Sequence, residues 1–305
     1  SYGFDFDQDG NYIFTGQTVP GDTNTHDIRV IIYKDSVLYS YQDFDPVLKS
    51  HSSKPLVSDS GHIYFIGHDE NEVFLETGKV YLVCLDEQLN LIFSNKDTEH
   101  EVNMSMGLGA YLDKSGNVIV TGYTIEVIDG LRIFFPRVVK MDSLGKVLWN
   151  VEVGEPHVNN IDGRGHWTDI IESVDENGYI VAGSYMYYNR SDTTILDGAV
   201  AKISEEGITL WHKTYSFREA QNRTFCTLND IVASHDGGYF ISGQSSNASA
   251  PSDEILDPPG FRSILLKIDN NGMYDSDTTG VSVINFDDGL ERITVFPNPT
   301  TDYIN

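Results

Sequence analysis

The chain has 305 residues, enough for one large domain with a substantial buried core or for two ordinary ones. Forty-six Asp and Glu stand against 20 Lys and Arg, a formal charge of −26. Such a surface repels phosphate backbones and anionic headgroups, which argues against nucleic-acid and membrane-surface partners. No apolar run is long enough to span a bilayer.

In chain order, the first distinct stretch is DQDGNYIFTG, an acidic Gly-containing turn that runs into alternating apolar residues and stops at Gly16. It returns as SDSGHIYFIG at Gly67, DKSGNVIVTG at Gly122, DENGYIVAGS at Gly183 and HDGGYFISG at Gly243. The terminal glycines are 51, 55, 61 and 60 residues apart, a period that signals a repeat architecture. After each glycine and a variable loop comes a second apolar segment: residues 28–33, 81–85, 138–141, 199–203 and 264–268. The turns that follow, KDS, DEQLN, DSLGK, SEEG and DNNG, are rich in the residues that adopt tight hairpin conformations. A third segment carries an aromatic at one matched place, Tyr39, Phe93, Trp149 and Trp211, and a short segment such as 168–174 or 229–234 precedes each opening turn.

The unit is therefore four short strands, A to D, in an antiparallel meander. Sheets that are apolar on both faces must stack on neighbours, and a radial arrangement buries both. The expected fold is all-β, a β-propeller of five four-stranded blades over about residues 1–45, 53–95, 106–153, 166–215 and 227–285. Residues 286–305 are expected to be a linker and the truncated start of a further C-terminal domain. The fifth copy lacks a clear D strand after Gly272, a place that 281–285 or a segment near the N-terminus could fill. The matched aromatics should wedge between blades. Cys84 and Cys226 are expected to be free and buried, and the opening at Ser1, without Met, points to a processed N-terminus.

Strand alternation puts the short A–B and C–D turns on one face and the long B–C and D–A connections on the other. Variable loops on a rigid scaffold commonly carry function, so the loop-rich face is the expected binding face. Its candidate ligand contacts are His157, Arg164, His166, Trp167, Tyr187 and Arg223. His157, His166 and Asp162 could also bind zinc, but a nine-residue spacing in a loop is no recognised ligand pattern. Asp5, Asp7 and Asp9 open like a calcium loop, yet the twelfth position is Gly16, so these residues read first as the A–B turn and calcium is the weaker assignment. No other cofactor is indicated.

On the A strands, Asp5, Asp169, Glu172 and Asp230 fall near the ring axis. Facing carboxylates there could act as acid and base on a polysaccharide. Asp169 and Asp230 share one repeat position, in TDII and NDIV, which suggests a structural job such as holding backbone donors.

Residues 293–305 read ITVFPNPTTDYIN. They resemble the opening of the C-terminal sorting domain of type IX secretion in Gram-negative bacteria: alternating Ile293 and Val295, the aromatic Phe296, then Pro297, Asn298, Pro299 and a turn towards Tyr303. The blade pattern is similar to propeller repeats carried by such exported proteins. The resemblance implies passage through the outer-membrane secretion machinery, then release or surface display, and no particular activity. The leading expectation is a non-catalytic module that binds glycan or protein. The alternatives are a glycoside hydrolase or lyase with carboxylates in the central funnel, and a structural spacer.

Overall fold

The computed structural model describes residues 3–18, 27–34, 37–44, 54–69, 79–95, 104, 106–128, 131–153, 164–189, 193–215, 224–247 and 261–274. Every regular element among them is a β-strand. Blade 1 is β1 (Gly3–Phe6), β2 (Tyr12–Thr18), β3 (Asp27–Lys34) and β4 (Val37–Phe44). Blade 2 is β5 (Leu56–Val57), β6 (Ile63–Asp69), β7 (Lys79–Leu85) and β8 (Leu91–Ser94). Blade 3 is β9 (Met106–Leu112), β10 (Val118–Ile128), β11 (Leu131–Met141) and β12 (Val147–Glu152). Blade 4 is β13 (Arg164–Glu172), β14 (Tyr179–Asn189), β15 (Thr193–Ile203) and β16 (Thr209–Tyr215). Blade 5 contributes β17 (Thr224–Ala233), β18 (Tyr239–Asn247) and β19 (Phe261–Ile268), and its expected fourth strand at 281–285 lies outside the described residues, as does the C-terminal stretch 293–305.

Each blade is an antiparallel meander in sequence order, and the five stand in a ring: the chain is an all-β, five-bladed β-propeller. One parallel bridge, Leu196 to Phe225, joins blades 4 and 5 where the blade 4 hairpin leans over its neighbour.

Aspartates at the heads of the turns explain the repeated acidic motif. The carboxylates of Asp7, Asp86, Asp113, Asp142 and Asp269 each accept the N–H groups two and four residues further on, at 2.7–3.0 Å. Ser58 and Ser204 hold their turns with a hydroxyl instead. Gly116 and Gly145 close two of these turns with φ of 79°, the left-handed region that glycine enters without cost. Leu89 does the same at φ 66° and is 1% exposed, its burial in the core between blades 1 and 2 offsetting the strain.

Four hydrophobic cores lie between successive blades. Ile13, Val30 and Ile32 pack on Phe65 and Tyr81 between blades 1 and 2, and Tyr64 and Leu82 meet Val118 and Val139 between blades 2 and 3. Ile119 and Val138 meet Trp167 and Tyr179 between blades 3 and 4, and Ile180 and Val200 meet Leu228 and Ile241 between blades 4 and 5. The matched aromatics wedge as expected at two places. Trp149 lies on Gly207 of the next blade and donates Nε1–H to the Glu205 carbonyl at 2.9 Å, while Trp211 lies against Gly272.

Two expectations change. Residues 123–128 and 131–136, and likewise 185–189 and 193–198, are paired strand rather than loop, because β10 pairs with β11 out to Ile128–Leu131 and β14 with β15 out to Asn189–Thr193. The glycines at 122 and 183 therefore do not end their strands. They sit opposite β-bulges in the A strand, where Leu108 and Thr168 are the extra residues, and Gly243 faces a third bulge at Asn229. A Cβ at Gly183 or Gly243 would collide with the carbonyl of His166 or Thr227, which is why the motif needs glycine there.

Candidate functional site

The A strands of all five blades line one central cavity of about 1150 Å³. Its walls include Asp5 from blade 1, Val57 from blade 2, Tyr111 from blade 3, Asp169 and Glu172 from blade 4, and Asp230 from blade 5. The cavity continues between the A–B turns, past Asp59, Lys114 and Glu176, so among the described residues it opens at the face of tight turns, opposite the loop-rich face expected from the sequence. Much of that loop-rich face, including 154–163 and 216–223, lies outside the described residues.

The bulges set the inner end of the cavity. Thr168, the extra residue of β13, sets its hydroxyl between the carbonyls of Ala182 in its own blade and Leu228 in the next. Directly after it, Asp169 accepts the N–H of Ile231 from blade 5 at 3.1 Å, the holding of backbone donors that the repeat position suggested. Burial, followed by a hydrogen bond to Asp230, pushes the Asp169 carboxyl up to about 7. Asp169 is therefore partly protonated near neutrality, and it is hydrogen-bonded to Asp230, an exposed residue of the next blade. Asp5 accepts Phe6 N–H at 2.9 Å and Val57 N–H of blade 2 at 3.3 Å, another tie between blades.

Nearer the mouth, Glu172 pairs with Lys114 at 3.1 Å, and Lys114 also reaches Glu176 at 3.4 Å. The Tyr111 hydroxyl donates to Glu172 at 3.4 Å, and burial followed by the charge of Glu172 pushes that phenol up to about 12. Seven carboxyl groups line the cavity (Asp5, Asp59, Asp113, Asp169, Glu172, Glu176 and Asp230) against two lysines, Lys54 and Lys114. The interior is negative, with small hydroxyls and aliphatic side chains between the acids.

Asp113 belongs to a denser cluster behind the wall. Lys140 is 8% exposed and sits 3.0 Å from Asp113, 2.8 Å from Glu205 and 2.8 Å from the Tyr179 hydroxyl, which donates to Glu205 at 2.7 Å. Burial raises the Asp113 carboxyl, but the bonds from Asn117 and Lys140 outweigh it and leave the group below its usual range. Blade 4 repeats the arrangement towards blade 5. Lys202 meets Asp175 at 2.6 Å, Asn270 donates to the same carboxylate at 2.9 Å, and Tyr239 donates to Asn270 at 3.0 Å.

Of the six ligand contacts expected on the loop-rich face, the structure describes the side chains of two, Trp167 and His166. Trp167 is fully buried between blades 3 and 4 and donates its indole N–H to the Val153 carbonyl at 3.2 Å, so it is a core residue and no ligand contact. His166 stands edge-on to Tyr123 at 6.3 Å, and burial holds its imidazole below the ordinary range. Arg164 pairs with Met186 and Tyr187 with Ile195 in the strands, their side chains outside the description, and His157 and Arg223 fall outside the described residues altogether. Asp7, offered for calcium, commits one carboxylate oxygen to Asp9 and Asn11 N–H and the other to Asn11 Nδ2 at 2.6 Å. Among the described residues no three His, Cys, Asp or Glu side chains converge as ligands. Thr168, Tyr111 and Lys114 went unnoticed in the sequence. Lys114 and Glu176 stand in A–B turns, on the face of tight turns, while Glu172 ends β13.

A five-bladed propeller with an acidic axial cavity is the class these features define. No family model matches the chain, and no curated protein matches it. Among solved structures it is similar to a protein of unknown function from Dyadobacter fermentans DSM 18053, with 12% identity, 87% of this chain and 77% of that one covered, and a TM-score of 0.50. Weaker likenesses include a xylan beta-1,4-xylosidase from Bacillus halodurans C-125 (11% identity, 88% and 52% covered, TM-score 0.44). Another is an exo-1,5-alpha-L-arabinanase from a bovine ruminal metagenomic library (12% identity, 88% and 92% covered, TM-score 0.40). The chain spans about half the length of the xylosidase. At these identities the likeness speaks to the fold alone.

Proposed function

We propose that the protein is a non-catalytic binding module that takes a neutral glycan into its axial cavity from the tight-turn side. The observation that carries this reading is the convergence of seven carboxyl groups and two lysines on one cavity of about 1150 Å³. Carboxylates accept hydrogen bonds from sugar hydroxyls, and the aliphatic stretches between them suit the C–H faces of a sugar ring. The same field rejects sulfated and uronic-acid chains. The test is a glycan-array screen of the wild type and of Asp230→Asn and Glu172→Gln. A neutral glycan should be retained by the wild type and lose at least tenfold in affinity in one of the variants. Binding of anionic glycans alone, wild-type binding in both variants, or no binding at all overturns the reading.

A second reading, glycoside hydrolysis, is favoured by the proton that Asp169 keeps near neutrality, as a general acid must. Its partner would be Glu172 or Asp5. Asp230 is hydrogen-bonded to Asp169, far closer than the roughly 5–9.5 Å that separates two carboxyls flanking a glycosidic bond. Release of reducing ends by the wild type and its loss in Asp169→Asn would establish this reading in place of the first. For location, the resemblance of residues 293–305 to a type IX sorting signal supports export to the cell surface or medium, checked by fractionating a Gram-negative host with and without those residues.

A further inference from the structure

Four interblade cores serve five blades, which leaves one side of blade 1 and one side of blade 5 without a described core. On blade 1 that side is aromatic. Phe4, Phe6 and Tyr12 are 49%, 48% and 41% exposed, and half-buried Phe14 and Tyr33 extend the surface. The rings touch one another, Phe6 to Tyr12 at 4.8 Å and Phe4 to Phe14 at 5.7 Å between centroids, as a prebuilt sheet face. On blade 5 the corresponding side shows Val232, 52% exposed, and Phe240, 39% exposed, with Lys267 over the Phe240 ring at 5.2 Å. An exposed apolar face of this extent marks a contact.

The polar clusters between blades 3 and 4 and between blades 4 and 5 identify the partner. At the end of the third strand, blades 3 and 4 each carry a lysine that pairs with an Asp of the same blade's A–B turn and reaches towards a tyrosine that opens the second strand of the next blade. Lys140 does this with Asp113 and Tyr179, and Lys202 with Asp175, its line running through Asn270 to Tyr239. Lys267 occupies the same place in blade 5 and already holds Asp236 at 2.6 Å. Tyr12 opens β2 of blade 1, paired with Tyr33 as Tyr179 is with Ile203 and Tyr239 with Ile268. Blade 5 thus carries the lysine half of the motif and blade 1 the tyrosine half.

We propose that the aromatic face of blade 1 closes against the Val232–Phe240 face of blade 5 in the same chain, with the Lys267 ammonium donating to the Tyr12 hydroxyl. Closure would make a fifth interblade core. It would also draw Asp5 and Asp230, which line the same cavity from blades 1 and 5, towards each other, so the seam sets the width of the axial cavity.

The test uses exposed turn residues on either side of the seam, Asp9 in blade 1 and His235 in blade 5. In other blades such neighbouring turns touch: Gln8 donates to the Asp59 carbonyl, and Lys114 lies 3.4 Å from Glu176. Asp9→Cys and His235→Cys are introduced together and treated with a short bismaleimide. Native Cys84 and Cys226 are buried, and burial pushes their thiols up to about 11 and about 12, so they stay silent. A link within the monomer is expected, falling at least fivefold when Tyr12→Ser and Lys267→Ser are added. A link between molecules would give the face to a second copy. Absence of any link, with both thiols open to a monofunctional maleimide, or a link indifferent to the two Ser substitutions, also overturns the proposal. Hydroxyl-radical labelling of the unmutated chain gives an independent readout. Phe4, Phe6 and Tyr12 should label at least fivefold more slowly than Tyr39, which is 61% exposed, and equal rates overturn the closure.

Discussion

Replacing Lys140 by Met tests whether the clusters between blades hold the ring together. Its side chain is 8% exposed and that of Asp113 is 10%, so both charges have left water and depend on each other. Removing the cation leaves Asp113 with its turn donors but no counter-charge, a change that costs about 3–5 kcal/mol. Glu205, 44% exposed, can turn to solvent, which places the expected loss near the lower end, about 3 kcal/mol. Lys114→Met is the control, because Lys114 is 66% exposed and its partner Glu176 75%, and such an exposed pair contributes little to stability. Urea unfolding followed by tryptophan fluorescence measures both variants, and a lower midpoint at unchanged slope identifies a loss of stability. Adding Asp113→Asn to Lys140→Met should recover part of the loss, since a neutral amide still accepts the turn bonds. The reasoning fails if the two Met variants lose equally, or if Lys140→Met is as stable as the wild type.

Asp175 gives an acid limb. Burial raises its carboxyl, but the bonds from Lys202, Asn270 and Ser173 outweigh this and hold it well below the unfolded value of about 3.9. The stabilisation is present above about pH 4 and disappears as pH falls through the folded value, and thermal melts of Lys202→Met between pH 2 and pH 5 should show a shallower fall than the wild type. Asp169 acts with the opposite sign. Its folded value of about 7 lies above the unfolded one, so it lowers stability progressively from about pH 4 to about pH 7. Asp169→Asn keeps an acceptor for Ile231 N–H, and melts should find that limb flattened and the variant more stable than the wild type at pH 8. Among the turn glycines, Gly116→Ala meets open space at φ 79° and should cost about 1–2 kcal/mol for the left-handed backbone alone. Gly178, at φ 95°, would drive a methyl into the Ile203 carbonyl, so Gly178→Ala should cost about 3 kcal/mol or more by denaturant titration.

The blades were legible because the turn chemistry repeats. Asp, Asn and Gly at fixed offsets mark most of the described A–B and C–D turns, and the aromatics at Trp149 and Trp211 lie where the pattern put them. The two long hairpins were hidden by polar interruptions, although Tyr123, Ile125 and Val127 continue the alternation past Gly122 and pair with the returning strand. Trp167 was misplaced for a related reason. It follows a polar, glycine-containing stretch that reads as loop, and the bulge at Thr168 breaks the alternation that would have marked its side chain as inward. Four carboxylates of the cavity, Asp5, Asp169, Glu172 and Asp230, are legible one by one on the A strands, but Asp59, Asp113 and Glu176 join them only because the A–B turns splay around one axis, a property no single repeat encodes.

The aspartates at the turn heads also change what the acidity of this molecule means. Each carboxylate is wrapped by amide hydrogens of its own chain at 2.7–3.0 Å, a solvation shell built from backbone in place of water. Added salt screens little at such range, and a counterion gains little by approaching an oxygen already saturated with donors. These five turn heads therefore pull less on cations in solution than their formal charges imply.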